Sequence, residues 1–296
     1  MPRAALLSIH ARVERTTPSS WEHPSLAQVW GPRFSAYVVP ARDVAVFTLG
    51  RLPEEGRSRR VAEDLAARAA TFLAGRKMSL SDLGHAFGCH PNTFRYAAPT
   101  GTLLIRWDGA RRPTVWSVRP PRVDPPHARL ELARRYLHIF GPTTAASFVE
   151  WAGVSPSMGQ TTFAALARSL TPVRTPTGDA WILTSDEPAM RAQPGRSAAA
   201  RLLPSGDTYF LLQGSDRALL VPDAKRRSAL WTSRVWPGAI LVRGEIVGTW
   251  RRPGAELVLE PWRRLTRAER EAIAAEAEGL PLPDLREPLR IRWSGP

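Results

Sequence analysis

The pattern that organises this chain occurs twice, as Gly88-Cys89-His90-Pro91 and, 65 residues further on, as Gly153-Val154-Ser155-Pro156. Each copy lies between two stretches of helical sequence and is followed by sequence typical of a β-hairpin. A helix, a glycine turn, a second helix that begins with proline and a hairpin make up a winged helix-turn-helix, whose second helix usually enters a DNA groove. The repeat therefore predicts two such units.

The residues around the first copy support this prediction. Ser79-Leu80-Ser81-Asp82 has the form of a capping box and predicts that a helix begins there. Pro91 stands in the first turn of the next helix, where proline is best tolerated. Asp108-Gly109 between two β-rich runs is a strong hairpin signal, so the first unit is predicted to end with a wing.

The rest of the chain divides where its composition changes. The proline-rich segment Pro120–Pro126 predicts a stiff linker, and beyond Arg196 the sequence turns to short β-runs, one of them Tyr209–Leu212. We therefore predict an α+β protein in which tandem winged helix-turn-helix domains precede a small β-rich C-terminal domain. The predicted domains are 1–120, an N-terminal winged-helix region, 121–195, a second winged-helix domain, and 196–296, the β-rich domain.

The charge of the chain favours a polyanionic partner. The 296 residues carry a formal charge of +14, with a pI near 11.3. Together with the helix-turn-helix repeat, this charge predicts double-stranded DNA as the partner. The alternative is compositional, because 39 of the 41 basic residues are arginine, as a GC-rich genome would produce. In that case the charge is only a solvated surface.

Composition and motifs also exclude several classes. The single cysteine, Cys89, excludes an internal disulfide and a cysteine-cluster metal site. No apolar run approaches the ~20 residues of a membrane span and no signal peptide is evident, so a cytoplasmic, nucleoid-associated monomer is expected. There is no phosphate-binding glycine loop, His-Glu-x-x-His or Gly-x-Ser-x-Gly, and neither a metal nor a cofactor is expected. The closest histidine pair, His85 and His90, is interpreted as solvated or turn-capping.

Candidate DNA contacts lie in both halves of the chain. Asn92 and Arg95 on the second helix of the first unit have donors suited to bases or phosphates. In the C-terminal region, cations would hold phosphates while indole rings stack on an exposed base. The alternative is that the rings belong to the core and the charges to a solvated helix. The predicted set is Asn92, Arg95, Arg106, Lys225, Arg226, Arg227, Trp231, Arg234, Trp236 and Arg243.

Several longer strings resemble one protein family. They are Pro2-Arg3-Ala4-Ala5-Leu6-Leu7, Val29-Trp30-Gly31-Pro32-Arg33, Ala98-Pro99-Thr100-Gly101, Arg201-Leu202-Leu203-Pro204 and Gly244-Glu245-Ile246-Val247-Gly248-Thr249-Trp250. Together they are similar to the AlkZ/YcaQ family of bacterial winged-helix DNA glycosylases, which repair alkylated bases and interstrand crosslinks. The resemblance implies tandem winged-helix domains followed by a β-domain, in agreement with the repeat.

The resemblance also implies a mechanism and a DNA-probing element. The family is monofunctional and needs no metal: a positioned water attacks the sugar carbon while the N-glycosidic bond breaks. A β-hairpin of relatives is thought to approach the DNA groove, and its local counterpart would be Trp231–Trp236 or the Arg243-Gly244 tip.

One departure from the family concerns catalysis. Relatives carry a Gln-x-Gln or Gln-x-Asp motif directly upstream of the Pro-Arg-Ala-Ala-Leu-Leu string, which here begins at residue 2, so no catalytic residue is carried over. Either coding sequence lies upstream of Met1 or the chain is a DNA-binding relative without catalysis. The helix predicted from Pro2 to Val13 has no cap, which favours the first explanation.

The predicted function is thus that of a winged-helix DNA-binding protein resembling monofunctional glycosylases that excise alkylated or crosslinked bases. The alternative is a transcriptional regulator or a non-catalytic DNA-binding protein. A regulator would protect one particular DNA sequence, and a glycosylase would release a free damaged base.

Overall fold

The computed structural model describes residues 2–107, 113–193, 195, 197–282 and 289–295. Helices and strands both contribute, which confirms the predicted α+β class. The helices are α1 (Pro2–His10), α2 (Val44–Leu49), α3 (Gly56–Leu73), α4 (Leu80–Ala86), α5 (Pro125–Phe140), α6 (Ala145–Ala152), α7 (Pro156–Leu166), α8 (Glu187–Arg191), α9 (Arg217–Leu220), α10 (Ala224–Leu230) and α11 (Arg267–Glu278). The strands are β1 (Leu26–Trp30), β2 (Ala36–Pro40), β3 (Met78–Ser79), β4 (Leu103–Arg106), β5 (Thr114–Ser117), β6 (Leu170–Thr175), β7 (Gly178–Leu183), β8 (Ala200–Leu203), β9 (Gly238–Val242), β10 (Glu245–Arg251), β11 (Glu256–Pro261) and β12 (Arg290–Trp293).

The helix-turn-helix order predicted twice from the sequence is present in both places. α4 is followed by Gly88 and a 3-10 helix, Pro91–Thr100, and α6 is followed by Gly153 and α7. Gly88 and Gly153 have φ angles of +59° and +70°, which explains why glycine stands at both turns. β4 and β5 pair antiparallel after the first segment, and β6 pairs with β7 after the second. The turn predicted at Asp108-Gly109 lies outside the described residues.

Side chains fix the starts of the helices in the first segment. The Ser79 hydroxyl accepts a hydrogen bond from the Asp82 backbone N–H at 3.1 Å, as expected for a helix N-cap. The His90 ring accepts from the Asn92 N–H at 3.2 Å and so begins the 3-10 helix. His90 is therefore a capping residue, one of the two roles that the sequence suggested for it.

Residues 22–175 and 179–187 belong to one compact unit. Its five-stranded sheet has the order β2-β1-β4-β5-β3. α5 joins the preceding residues through ion pairs from Arg135 to Asp43 at 2.8 Å and from Arg129 to Glu54 at 2.6 Å. The core formed by α3, α4, the 3-10 helix and the sheet includes Leu65, Ala69, Leu73, Leu83, Phe94, Leu103 and Ile105. The three-domain division at residues 120 and 195 stays a prediction.

A second compact unit contains residues 3–21 and 176–178 and the chain from residue 188 onwards. Its sheet has the order β12-β11-β10-β9-β8; β11 and β12 run parallel and the other pairs antiparallel. Leu7 of α1 and Ile273 and Ala277 of α11 pack into the core of this sheet. In the part of the chain that is described, no helix is both long and apolar enough to cross a membrane.

The strand predicted at Tyr209–Leu212 is wrong. The Asp207 N–H donates to the Pro204 carbonyl and the Phe210 N–H donates to the Asp207 carbonyl, so residues 204–210 form consecutive turns. The Asp207 carboxylate also accepts from the Tyr209 N–H at 2.9 Å, which uses the backbone group that a strand would need for pairing. Phe210 is completely buried. The apolar sequence at this position therefore reflects burial of a turn and not strand pairing.

Candidate nucleic-acid interface

The 3-10 helix Pro91–Thr100 carries the first two predicted DNA contacts. Asn92 is exposed near its start. Arg95 is half-buried; its guanidinium donates to the Tyr96 hydroxyl at 3.0 Å and lies 5.0 Å from the centroid of that ring. Within the described structure the Arg95 Nε is buried and has no hydrogen-bond partner. Arg95 is thus oriented by aromatic neighbours while it retains an unused donor.

Arg95 belongs to a group of four side chains, here called the Phe34 cluster: Phe34, Arg51, Arg95 and Tyr96. The Arg51 and Arg95 guanidinium groups lie 4.6 and 5.9 Å from the centroid of the Phe34 ring, and Tyr96 meets that ring edge-on at 5.0 Å. Arg51 is 3% exposed and donates to two backbone carbonyls, at 2.8 and 3.2 Å. Burial lowers the pKa of Arg51 to about 10, which leaves it protonated at neutral pH.

Another group of cations lies on α3. Arg57, Arg60 and Arg68 line a shallow groove that Thr93 borders from the 3-10 helix. Arg68 also lies 5.4 Å from the centroid of the Phe87 ring. Spacings of three and eleven residues place the three arginines on one face of an α-helix. The sequence contained this signal, although these arginines were not among the predicted contacts.

The remaining predicted contact of the first unit is Arg106, at the end of β4. It is exposed and pairs with Glu22 at 2.9 Å. The backbone N–H of the next residue, Trp107, donates to the Gln28 side chain at 2.8 Å and fixes the chain here. Because Arg106 already has a carboxylate partner, binding a phosphate would require it to exchange that partner.

α10 presents the three consecutive cations of the predicted set. The Asp223 carboxylate caps this helix, since it accepts from the backbone N–H groups of Lys225 and Arg226 at 2.8 and 3.4 Å. Lys225 and Arg226 are exposed. Arg227 is half-buried and donates to the carbonyls of Val221 and Pro222. Of the three, Lys225 and Arg226 are the side chains that face solvent.

Both tryptophans of the predicted set lie in the core of the second unit. Trp231 is 8% exposed, and its indole N–H donates to the Phe210 carbonyl at 2.9 Å. Trp236 is partly buried against the same core. The Arg217 guanidinium lies 5.1 and 5.2 Å from the centroids of these two rings. The two indole rings are therefore used in packing, as in the alternative that assigned them to the core. They are not included among the proposed DNA contacts.

Arg234 and Arg243 are exposed on the second unit. Arg243 and Gly244 form the tip of the hairpin between β9 and β10, with φ angles of +49° and +89°. The Tyr209 hydroxyl donates to the Gly244 carbonyl at 2.6 Å. The hairpin tip predicted at Arg243-Gly244 is therefore present, and a neighbouring turn fastens it.

Across the described ranges, no three His, Cys, Asp or Glu side chains are placed to share a metal ion. We assign no catalytic residue.

The described residues thus form an α+β protein with two helix-turn-helix segments that are each followed by a hairpin, exposed arginines beside the first of them, and a β-sheet unit. The sequence model of the family described as "DNA glycosylase AlkZ-like" matches residues 1–281. The chain belongs to this family, which confirms the resemblance stated from the sequence.

Two relatives come from Streptomyces sahachiroi. One, described as "Interstrand DNA cross-link repair glycosylase", is 28% identical over 167 residues, which make up 55% of this chain and 43% of the relative. The matching region thus spans less than half of that relative's length. The solved structure of "Streptomyces sahachiroi DNA glycosylase AlkZ" aligns with a TM-score of 0.77 and 18% identity over 99% of this chain and 89% of the other. At this identity the likeness shows a shared fold.

Proposed function

We propose that this chain binds duplex DNA and takes part in excising alkylated or crosslinked bases from it. The observation that carries the proposal is the family match over residues 1–281, combined with two helix-turn-helix segments in a chain of charge +14. The curated relative is described as a crosslink-repair glycosylase, and we extend that substrate class to this chain as a hypothesis.

The proposed DNA contacts are exposed or half-buried polar side chains of each compact unit taken by itself. Eight of them are residues predicted from the sequence, and two are arginines of the α3 groove. The set is Asn92, Arg95, Arg106, Lys225, Arg226, Arg227, Arg234, Arg243, Arg57 and Arg60. Since each phosphate neutralised by a cation releases condensed counterions, affinity should fall steeply with salt, with a slope of about −0.9 in log K against log salt for each phosphate contact.

The proposed reaction is hydrolysis of an N-glycosidic bond. A guanine alkylated at N7 carries positive charge and is already a good leaving group. The protein then has mainly to stabilise the positive charge that develops on the sugar and to position a water.

Two assays on the 296-residue chain test the proposal. Binding of a fluorescein-labelled duplex is titrated at several salt concentrations, and release of free 7-methylguanine from a methylated duplex is followed by chromatography. Salt-dependent binding with base release supports both parts of the proposal. Absence of duplex binding at low salt would refute it.

DNA footprinting, combined with the base-release assay, distinguishes the proposed function from the two alternatives. Protection of one DNA sequence without base release would instead favour a transcriptional regulator, and sequence-independent binding without release would favour a non-catalytic DNA-binding protein.

A further inference from the structure

The turn that joins β1 to β2 has an unusual backbone. Arg33 and Phe34 are consecutive, neither is glycine, and both adopt left-handed φ angles, of +54° and +56°. The turn is closed by hydrogen bonds from the Phe34 N–H to the Gly31 carbonyl and from the Ser35 N–H to the Pro32 carbonyl, at 3.0 and 3.1 Å. Left-handed residues with a Cβ cost free energy and persist only where their surroundings compensate, often at ligand clamps.

The surroundings hold this turn from two sides. Arg51 lies over the Phe34 ring and is itself fixed by hydrogen bonds to the Trp30 and Ala152 carbonyls. Gly153, the turn glycine of the second helix-turn-helix segment, lies beside Arg33: a Cβ built on it would lie 3.5 Å from the Arg33 Cα, in ordinary van der Waals contact. The turn therefore lies where elements of both helix-turn-helix segments meet within the first compact unit.

The charge at this turn is not compensated by acid groups. In the described part of the chain, Arg33, Arg51 and Arg95 form no ion pair, whereas Arg129 and Arg135 in the same unit each have a carboxylate partner within 3 Å. Arg33 and Arg51 both act on Tyr37: burial raises the pKa of this phenol to about 12, and the two arginine charges oppose that rise. Arg33 is exposed, so the positive charge at the turn is open to solvent.

Arg95 adds a donor that the protein does not satisfy. Its guanidinium is held over the Phe34 and Tyr96 rings, and its Nε is buried without a hydrogen-bond partner in the described residues. A buried unpaired donor costs free energy, which a bound acceptor recovers once the half-buried Arg95 side chain turns its Nε towards that acceptor. Oxygen atoms of an anion are the acceptors that a group of unneutralised arginines favours.

We propose that the turn Gly31–Phe34 and the neighbouring Arg95 form a binding site for one phosphate of the DNA backbone. Arg33 and Arg95 donate to the phosphate oxygens, and Arg51 contributes positive charge from its position against the Phe34 ring. The site rests on the proposed DNA-binding function. In this site the left-handed backbone of Arg33 holds the Arg33 side chain at the phosphate.

The salt dependence of duplex binding tests the site. Arg33→Ala and Arg95→Ala should each weaken binding roughly tenfold near physiological salt, the loss of one charge-assisted contact. Each should also reduce the slope of log K against log salt by about 0.9, which corresponds to one phosphate. In the double variant the total reduction of the slope relative to the wild type should still be about 0.9, and not twice that amount. The reason is that both side chains hold the same phosphate.

A second variant separates binding from folding. Arg33→Gly removes the side chain and relieves the left-handed strain, so its Tm should rise by about 2–4 °C while its DNA affinity falls as in Arg33→Ala. A residue with a merely structural role would not produce a more stable protein that binds more weakly. Arg267→Ala is the charge-matched control, since Arg267 is 93% exposed on α11 and pairs with Glu271, and it should leave the slope unchanged.

The results distinguish failure of the phosphate site from failure of the DNA-binding function. If the wild-type chain binds the duplex in a salt-dependent manner but the Arg33 and Arg95 variants retain its slope and affinity, the phosphate site is wrong and the DNA-binding function stands. If the wild-type chain does not bind the duplex, the function and the site are refuted together.

Discussion

Arg12 and Asp207, 195 positions apart in the chain, are joined by two parallel hydrogen bonds. The Arg12 Nη1 donates to Asp207 Oδ2 at 2.9 Å and Nη2 donates to Oδ1 at 2.7 Å. The Asp207 side chain is fully buried, and it also accepts from the Ser8 hydroxyl at 2.5 Å and from the Tyr209 N–H at 2.9 Å. One carboxylate thus fastens α1 and the residues after it to the 204–210 turns of the same compact unit.

Arg12→Ala should destabilise the protein because it leaves the buried Asp207 carboxylate without its cation. Removing one partner of a fully buried ion pair costs about 3–5 kcal/mol, and since Arg12 is 44% exposed we expect roughly 2–3 kcal/mol. Urea denaturation measures the free energy of unfolding. Arg267→Ala, which removes the same charge from an exposed pair, should change it by less than about 0.5 kcal/mol. Equal effects of the two variants would contradict this prediction.

The string Gly244–Trp250, one of those that resemble the family, has a structural explanation. Gly244 provides the left-handed tip of the β9–β10 hairpin. Gly248 lies so close to β11 that a Cβ would come within 2.5 Å of the Glu260 carbonyl oxygen. The Trp250 indole N–H donates to the Leu203 carbonyl at 2.8 Å. The string therefore describes how this sheet packs.

Gly248→Ala should destabilise the second unit because the added methyl group meets backbone atoms, which cannot move aside as a flexible side chain would. Overpacking of this kind costs about 1–3 kcal/mol, and Tm should fall accordingly. Gly195→Ala is the matched control, because a Cβ there would meet open space, and its Tm should be unchanged. A Gly248→Ala protein as stable as the wild type would show that β10 and β11 can separate without cost.

Tyr209→Phe should loosen the hairpin tip that carries Arg243. The variant removes only the hydroxyl that donates to the Gly244 carbonyl, so a loss of about 1 kcal/mol is expected locally. Amide hydrogen exchange should become faster at residues 243–245 and stay unchanged in β11. Unchanged exchange at the tip would mean that the turn residues hold this hairpin without help from Tyr209.

Local signals were sufficient to predict the repeated helix-turn-helix segments. Gly88 and Gly153 supply turns that other residues adopt with difficulty, and Ser79 caps its helix within three residues. These effects act between neighbours in sequence, so they can be read without the fold. The cation positions on α10 were also visible, although the partial burial of Arg227 was not.

Effects between distant residues could not be predicted in this way. The failed strand at Tyr209–Leu212 depends on Asp207, whose carboxylate is held by Ser8 of α1 and by Arg12 just after it. Arg51 stabilises a turn through backbone carbonyls, an interaction that has no sequence pattern. The core positions of the two tryptophans likewise depend on how the 204–237 segment folds, so an exposed stacking role and a packing role were equally compatible with the sequence.

The start of α11 provides a prediction about pH. Glu269 accepts two hydrogen bonds from Arg263, at 2.8 and 2.9 Å, and closes a capping box with Thr266. The Arg263 bonds first, and the Thr266 N–H second, lower the pKa of Glu269 from 4.5 to about 2. A lowered folded-state pKa means that the stabilisation is fully present above pH 4.5 and is lost as the pH falls towards 2.

Thermal melting of the wild type and Glu269→Gln across a pH series measures this effect. The wild type should melt at the higher temperature above pH 4.5, and the difference should shrink steadily as the pH is lowered to about 2, where the wild-type carboxyl also becomes neutral. Glu271→Gln is the control, because Glu271 is 62% exposed in a pair with Arg267 and should shift Tm little at any pH. A difference for Glu269→Gln that persists unchanged at pH 2 would show that the carboxylate charge does not stabilise this helix.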